Sequence, residues 1–183
     1  MKKILLSLGL AVTVLGTATA QDGPTDQDQV TLNVKLYPIQ TLEVNTGQKT
    51  VDLEYKTVTN YAEGVESTNQ DHLKVYSTGG FAVKVKSEDA ALKRANGDQK
   101  IAANGISVSA AVGTTNPLAT ATVKSVSLST AEKTLIASRT GGVDKTFDIT
   151  YKGAGADTYV NKYFNDENPT VYTTTVTYSI EAL

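Results

Sequence analysis

The stretch that decides the fold is YTTTVTYSIEA, residues 172–182. Tyr172, Thr174, Val176, Tyr178, Ile180 and Ala182 share one side of an extended chain, and Thr173, Thr175, Thr177, Ser179 and Glu181 share the other. Side chains alternate across a strand with a period of two, so this stretch reads as a half-buried β-strand. Burial of each larger apolar side chain is worth roughly 1.5–3 kcal/mol. A face of this kind therefore approaches a small domain's whole net stability, of order 5–15 kcal/mol, and the stretch is expected to lie inside a sheet of its own domain or of a neighbour's.

The same pattern recurs along the chain. In QVTLNVKL, residues 29–36, Val30, Leu32, Val34 and Leu36 alternate with Thr31, Asn33 and Lys35. Pro38 interrupts, and Ile39 to Asn45 resumes as a second strand or as the continuation of the first past a bulge; Val51, Leu53 and Tyr55 form a third run. Residues 57–71 lack a period and read as a polar connection. His72 to Ser77, Gly79-Gly80 and Phe81 to Val85 form a hairpin, because paired glycines supply the positive φ values of a tight turn. SEDAALKRANG, residues 87–97, carries a capping Ser87, acidic residues at its start, basic residues at its end and a stop at Asn96-Gly97, which predicts one short helix near 87–95. Ile106 to Val112, Val126 to Leu128, Leu135 to Ser138 and Phe147 to Tyr151 complete the strands. Ser129 and Glu132 have capping-box spacing but read as a single turn between strands. Eight to ten short strands separated by turn signals predict an all-β protein, an antiparallel immunoglobulin-like sandwich forming a single domain, with a barrel as the alternative.

The beginning of the chain reads as an export signal. Lys2 and Lys3 precede an apolar run from Ile4 to Gly16, and Ala18 and Ala20 make an A-x-A cleavage site. The run falls short of the roughly 20 residues needed to cross a bilayer, so no membrane span is expected after cleavage. The expected layout is a signal peptide over 1–20, a flexible leader over 21–29 and a sandwich domain over 30–183, in a protein secreted to the periplasm or outer surface of a bacterium. Residues 21–183 suffice for one core burying about 70% of the unfolded surface. The sequence contains no cysteine, so disulfides and thiolate chemistry are excluded. Loss of Lys2 and Lys3 takes the formal net charge from −2 to −4. With no dense Lys/Arg stripe, nucleic acid is not an expected partner.

The inventory for catalysis is thin. His72 is the sole histidine and reads as a solvent-exposed residue at a strand entrance. No G-x-S-x-G elbow occurs, and one histidine without cysteine excludes a zinc site. GAGAD, residues 153–157, reads as a turn because no helix opens behind it. No enzymatic activity and no cofactor are expected. Asp166 and Glu167 are weak candidates for a metal, since FNDENPT lacks the spaced ligands and central glycine of a calcium loop. Tyr61, Tyr159 and Tyr163 lie in presumptive loops, where exposed rings could stack on sugars; they form the candidate glycan platform.

The leader followed by Val30, Leu32, Val34 and Leu36 resembles the donor segment of pilin subunits, which complete a neighbour's sandwich by adding a strand. The final run, with Tyr172, Val176, Tyr178 and Ile180 on one face, is similar to the last strand of spore-coat-U and related pilin-like β-sandwich proteins. The cysteines of some of those families are missing here. The chain is also similar to short exported proteins labelled peptidoglycan-binding, without a LysM-type pattern. These resemblances imply a structural or adhesive envelope subunit that pairs strands with itself or with other envelope proteins, or alternatively a glycan- or peptidoglycan-binding module.

Overall fold

The computed structural model describes residues 26–183, so the signal peptide and most of the leader expected from the sequence lie outside the described residues. The chain divides into two units, Met1–Lys35 and Leu36–Leu183. Among the described residues, the strands and the α-helix of the second unit are β1 (Gln40–Val44), α1 (Val58–Glu63), β2 (Glu66–Ser77), β3 (Phe81–Ser87), β4 (Ala91–Arg94), β5 (Lys100–Ala102), β6 (Ser107–Val112), β7 (Thr122–Val123), β8 (Ser125–Ser127), β9 (Lys133–Ser138), β10 (Gly142–Lys152), β11 (Tyr172–Thr173) and β12 (Val176–Ala182). Among the described residues all pairings are antiparallel, and the strands make three sheets, β1-β2-β10-β6-β8, β12-β3-β9-β7 and the small β11-β4-β5. The hairpin expected over His72–Val85 is corrected by this order: β2 and β3 belong to different sheets, so the Gly79-Gly80 connection carries the chain from one layer to the other, and neither glycine has a positive φ. An all-β sandwich is the result, as the alternation requires.

The core is the inward row of each strand. Leu73 and Val75 of β2, Phe81 and Val83 of β3, Leu135 and Ile136 of β9, and Phe147 and Ile149 of β10 are fully buried. Phe81 and Phe147 come from opposite sheets and meet edge-on, with ring centroids 6.4 Å apart and planes at 71°. Strict alternation would bury only one of Leu135 and Ile136. Both are inside because the register between β3 and β9 shifts between Val83, paired with Ile136, and Lys84, paired with Thr134. Leu135 is the extra residue of a bulge.

A larger irregularity separates Phe147, paired with Leu73, from Ile149, paired with Asn69. Three residues of β2, Gln70 to His72, therefore oppose Asp148 alone. Asp71 absorbs the excess with φ of 47°, and its N–H donates to the Asp148 carboxylate at 2.7 Å. This corrects the sequence reading of His72. The bulge turns the imidazole inward, where it is 2% exposed.

The helix expected near 87–95 is also corrected. Ser87 ends β3, its hydroxyl donating to the Asp89 carbonyl at 2.8 Å, and Ala91–Arg94 forms β4 between β5 and β11. Leu92 pairs with Ile101, and both pack against the core, a gain that outweighs the weak helix preference of a short segment. The short helix is instead α1, where Thr57 and Asn60 form a reciprocal capping box and Gly64, at φ of 85°, ends it. Ser129 to Glu132 contains no helix, in line with its reading as a turn.

Phe147→Ala removes a fully buried aromatic side chain of β10 from the sheet interface and is expected to cost about 3–5 kcal/mol. Urea unfolding of the purified protein checks this, with a lowered midpoint at unchanged slope as the expected outcome.

Candidate functional site: an unpaired segment and an open sandwich edge

Val30, Leu32, Val34 and Leu36 are 91%, 87%, 77% and 88% exposed. Residues 26–39 form no strand, so the strand expected over Val30–Leu36 is not paired in the described chain. Their alternation nevertheless sets four apolar side chains on one side of an extended segment. Regular pairing starts only past Pro38, where Ile39 and Thr78 exchange hydrogen bonds at the head of β1.

The other terminal strand is tied down. Tyr172 lies in β11, paired with Arg94, and its hydroxyl donates to the Lys162 carbonyl at 2.8 Å. Val176, Tyr178 and Ile180 lie half-buried on β12, which pairs with β3 from Val176 opposite Ser87 to Ala182 opposite Phe81 without a register break. Tyr178 also closes a polar chain through the interior. His72 Nδ1 lies 2.9 Å from Gln48 Oε1, so it is the protonated nitrogen and Nε2 is left to accept from the Tyr151 hydroxyl at 3.2 Å. Tyr151 then accepts from the Tyr178 hydroxyl at 2.6 Å. This chain joins β2, β10 and β12 across the two sheets. Burial holds the His72 pKa below its ordinary value and pushes the Tyr151 and Tyr178 hydroxyls up, so all three are neutral. The imidazole is a structural tie enclosed by tyrosines.

The structure does not assemble the three-tyrosine platform. Tyr159 is 8% exposed and meets Tyr55 edge-on at 5.0 Å, while the Tyr61 ring is tilted against Tyr55 with centroids 5.4 Å apart. Tyr55 donates to the Ala154 carbonyl at 2.7 Å, and burial raises its pKa to about 12. Of the three candidates Tyr159 is buried, Tyr61 is half-buried and Tyr163 is 51% exposed. Two of the three rings are thus filling beneath α1 and the 153–159 loop.

The acidic candidates also separate. Glu167 is enclosed beside Arg94, with 3.7 Å between Oε1 and Nε, and the guanidinium lies 3.5 Å over the Phe164 ring. Asp166 is exposed. Among the described residues, no group of three or more His, Asp or Glu side chains converges as a metal site would require. Asp71, which the sequence did not single out, accepts four hydrogen bonds from two threonines. It accepts from the Thr114 and Thr115 amides at 2.9 and 3.3 Å and from both threonine hydroxyls, and these bonds hold its pKa well below the usual carboxylate range. Its role is to pin the turn after β6 to the bulge in β2.

Two surface depressions complete the picture. One, of about 440 Å³, is lined by residues that include Thr120, Thr122, Ala137, Arg139, Thr140 and Leu183; the other, of about 420 Å³, is lined by residues that include Asp52, Glu54, Asn60, Val65 and Glu66. His72 lines neither. No protein-family model matches the chain, and no curated protein matches it in sequence.

The buried histidine makes stability depend on pH. Its folded pKa lies below the unfolded value of 6.5, so the unfolded chain binds the proton more readily and stability falls as pH drops below 6.5. The loss stops only once the folded histidine itself titrates. Urea midpoints at pH 7 and pH 5 are expected to differ in the natural protein and to converge in His72→Phe; equal midpoints in the natural protein would show that the imidazole is accessible.

Proposed function

We propose that this chain is a non-enzymatic exported envelope protein, a structural or adhesive β-sandwich subunit of pilin-like type that associates with itself or with other envelope proteins by strand pairing. The carrying observation is the segment Val30–Leu36, whose four apolar side chains are between 77% and 91% exposed although their spacing is that of a buried strand. An apolar patch with this spacing costs solubility unless something covers it. Its burial would yield on the order of 6–12 kcal/mol at roughly 1.5–3 kcal/mol per side chain. That is enough to drive association after the cost of ordering the segment and losing free motion.

The neutral, enclosed state of His72 and the separation of Asp166 from the Glu167–Arg94 pair support the non-enzymatic part of the reading. The glycan-binding alternative loses its main support with the burial of Tyr159.

Size-exclusion chromatography and electron microscopy of residues 21–183 test the proposal. Concentration-dependent assemblies are expected, and Leu32→Asp with Val34→Asp should convert them to monomers with an unchanged thermal midpoint. A strictly monomeric natural protein across the accessible range overturns strand pairing. Retention of such a monomer on purified cell-wall sacculi would favour the glycan reading in its place.

A further inference from the structure

We infer that the side chains of Gln48, His72, Tyr151 and Tyr178 form a proton-operated latch on the last strand: a proton taken up by His72 releases the Tyr178 hydroxyl, and with it the hold of β12 on the facing sheet, while the rest of the sandwich stays closed. The direction of the hydrogen bonds is set at the far end. Gln48, on the single turn Thr46–Gln48, donates from Nε2 to the Gln70 carbonyl at 3.0 Å, which turns its Oε1 toward His72 Nδ1. Nδ1 therefore carries the proton, Nε2 accepts from Tyr151, and Tyr151 accepts from Tyr178.

In this arrangement three contacts take three protons. An imidazolium brings a fourth. The contact at Nδ1 is indifferent to it, because that nitrogen donates to Gln48 in either charge state. At Nε2 an acceptor becomes a donor. Tyr151 must then accept where it had donated, and whichever way its own proton turns, one hydroxyl proton of the two tyrosines is left outside the chain. A buried donor without a partner and a buried charge without a counter-ion are both strongly disfavoured, so a wall of the site gives way.

The walls differ in how they are held. The Tyr151 and Tyr178 rings lie 5.9 and 6.0 Å from the imidazole. Tyr151 is 7% exposed and belongs to β10, which is paired on both sides, with β2 and with β6. Tyr178 is half-buried on β12, which ends its sheet and pairs there with β3. Tyr178 is the wall that moves at least cost. The charges on the surrounding strands are engaged elsewhere: Asp71 accepts from Thr114 and Thr115, Asp148 accepts from the Asp71 amide, Glu43 pairs with Lys74, and Glu181 pairs with Lys84. Gln48, Tyr151 and Tyr178, which face the ring, are all neutral. Burial accordingly holds the His72 pKa below 6.5, so the latch is shut at neutral pH and opens progressively as pH falls below that value.

Amide hydrogen exchange of residues 21–183, followed residue by residue and corrected for the pH dependence of exchange itself, tests the latch. The amides of Thr177, Ser179 and Glu181 face β3, because in the same register the Thr175 carbonyl accepts from Glu88 and the Leu183 amide donates to Gly80. Their protection is expected to fall about tenfold between pH 7 and pH 5, within the tenfold per pH unit below 6.5 that a single proton allows, and protection in β2 and β10 is expected to change less. Tyr178→Phe should raise β12 exchange at pH 7 toward the natural protein's level at pH 5. His72→Phe should remove the pH dependence, and His72→Gln gives the same reading without an added aromatic ring. Protection lost equally in β12, β2 and β10 overturns the latch in favour of whole-domain opening, and loss confined to residues 44–49 moves the opening to the Gln48 side. Unchanged β12 exchange in the natural protein at pH 5 or in Tyr178→Phe at pH 7, or the natural pH dependence persisting in the His72 variants, overturns it as well.

Discussion

The dry interface between the two larger sheets is the constraint on which the rest of this molecule depends. Leu73, Val75, Phe81, Val83, Leu135, Ile136, Phe147 and Ile149 are withdrawn completely from solvent, and they come from strands far apart in the chain. A sandwich without disulfides has no other source of comparable stabilisation. The bulges in β9 and β2 are consequences of it. Each lets one more side chain, Leu135 in one case and His72 in the other, turn toward the interior than simple alternation permits.

The interior is not wholly apolar, and a chain of polar side chains crosses it in hydrogen-bonded sequence. Gln48, His72, Tyr151 and Tyr178 satisfy one another in sequence, so the desolvation cost of each group is offset by a hydrogen bond. Because Tyr178 stands on β12 and the others on the opposite layer, the chain fixes the last strand relative to the sheet it faces. β12 is thus held on its inner side by hydroxyls, on one edge by β3, and on the other edge by nothing within the sandwich.

Much of the fold was legible because alternation is a local signal. The strands around Phe81, Val108, Leu135, Phe147 and Val176 lie where the period of two put them. The readings that failed did so for tertiary reasons. Ser87 to Ala95 carries helix-like caps and charges, but pairing of Leu92 with Ile101 drew Ala91–Arg94 into a strand. Val51, Leu53 and Tyr55 alternate and pack on the core, yet residues 51–55 join no ladder. Tyr159 sits in a loop, where exposure is the rule, but that loop folds back so that its ring packs on Tyr55. His72 had no local mark of burial, since the positive φ of Asp71 that inverts it is taken up only when β2 meets β10.

By itself the sequence determined an all-β protein without disulfides, the positions of most strands, and two segments, Val30–Leu36 and Tyr172–Ala182, with faces made to be covered. Those properties follow from residue type and spacing, which act over neighbouring positions. Only the tertiary structure decided which of the two segments is covered, because strand pairing and burial depend on chain brought from elsewhere. β12 found β3 and a hydroxyl anchor in His72 and Tyr151, whereas Val30–Leu36 shows the same alternation and no pairing in the described chain.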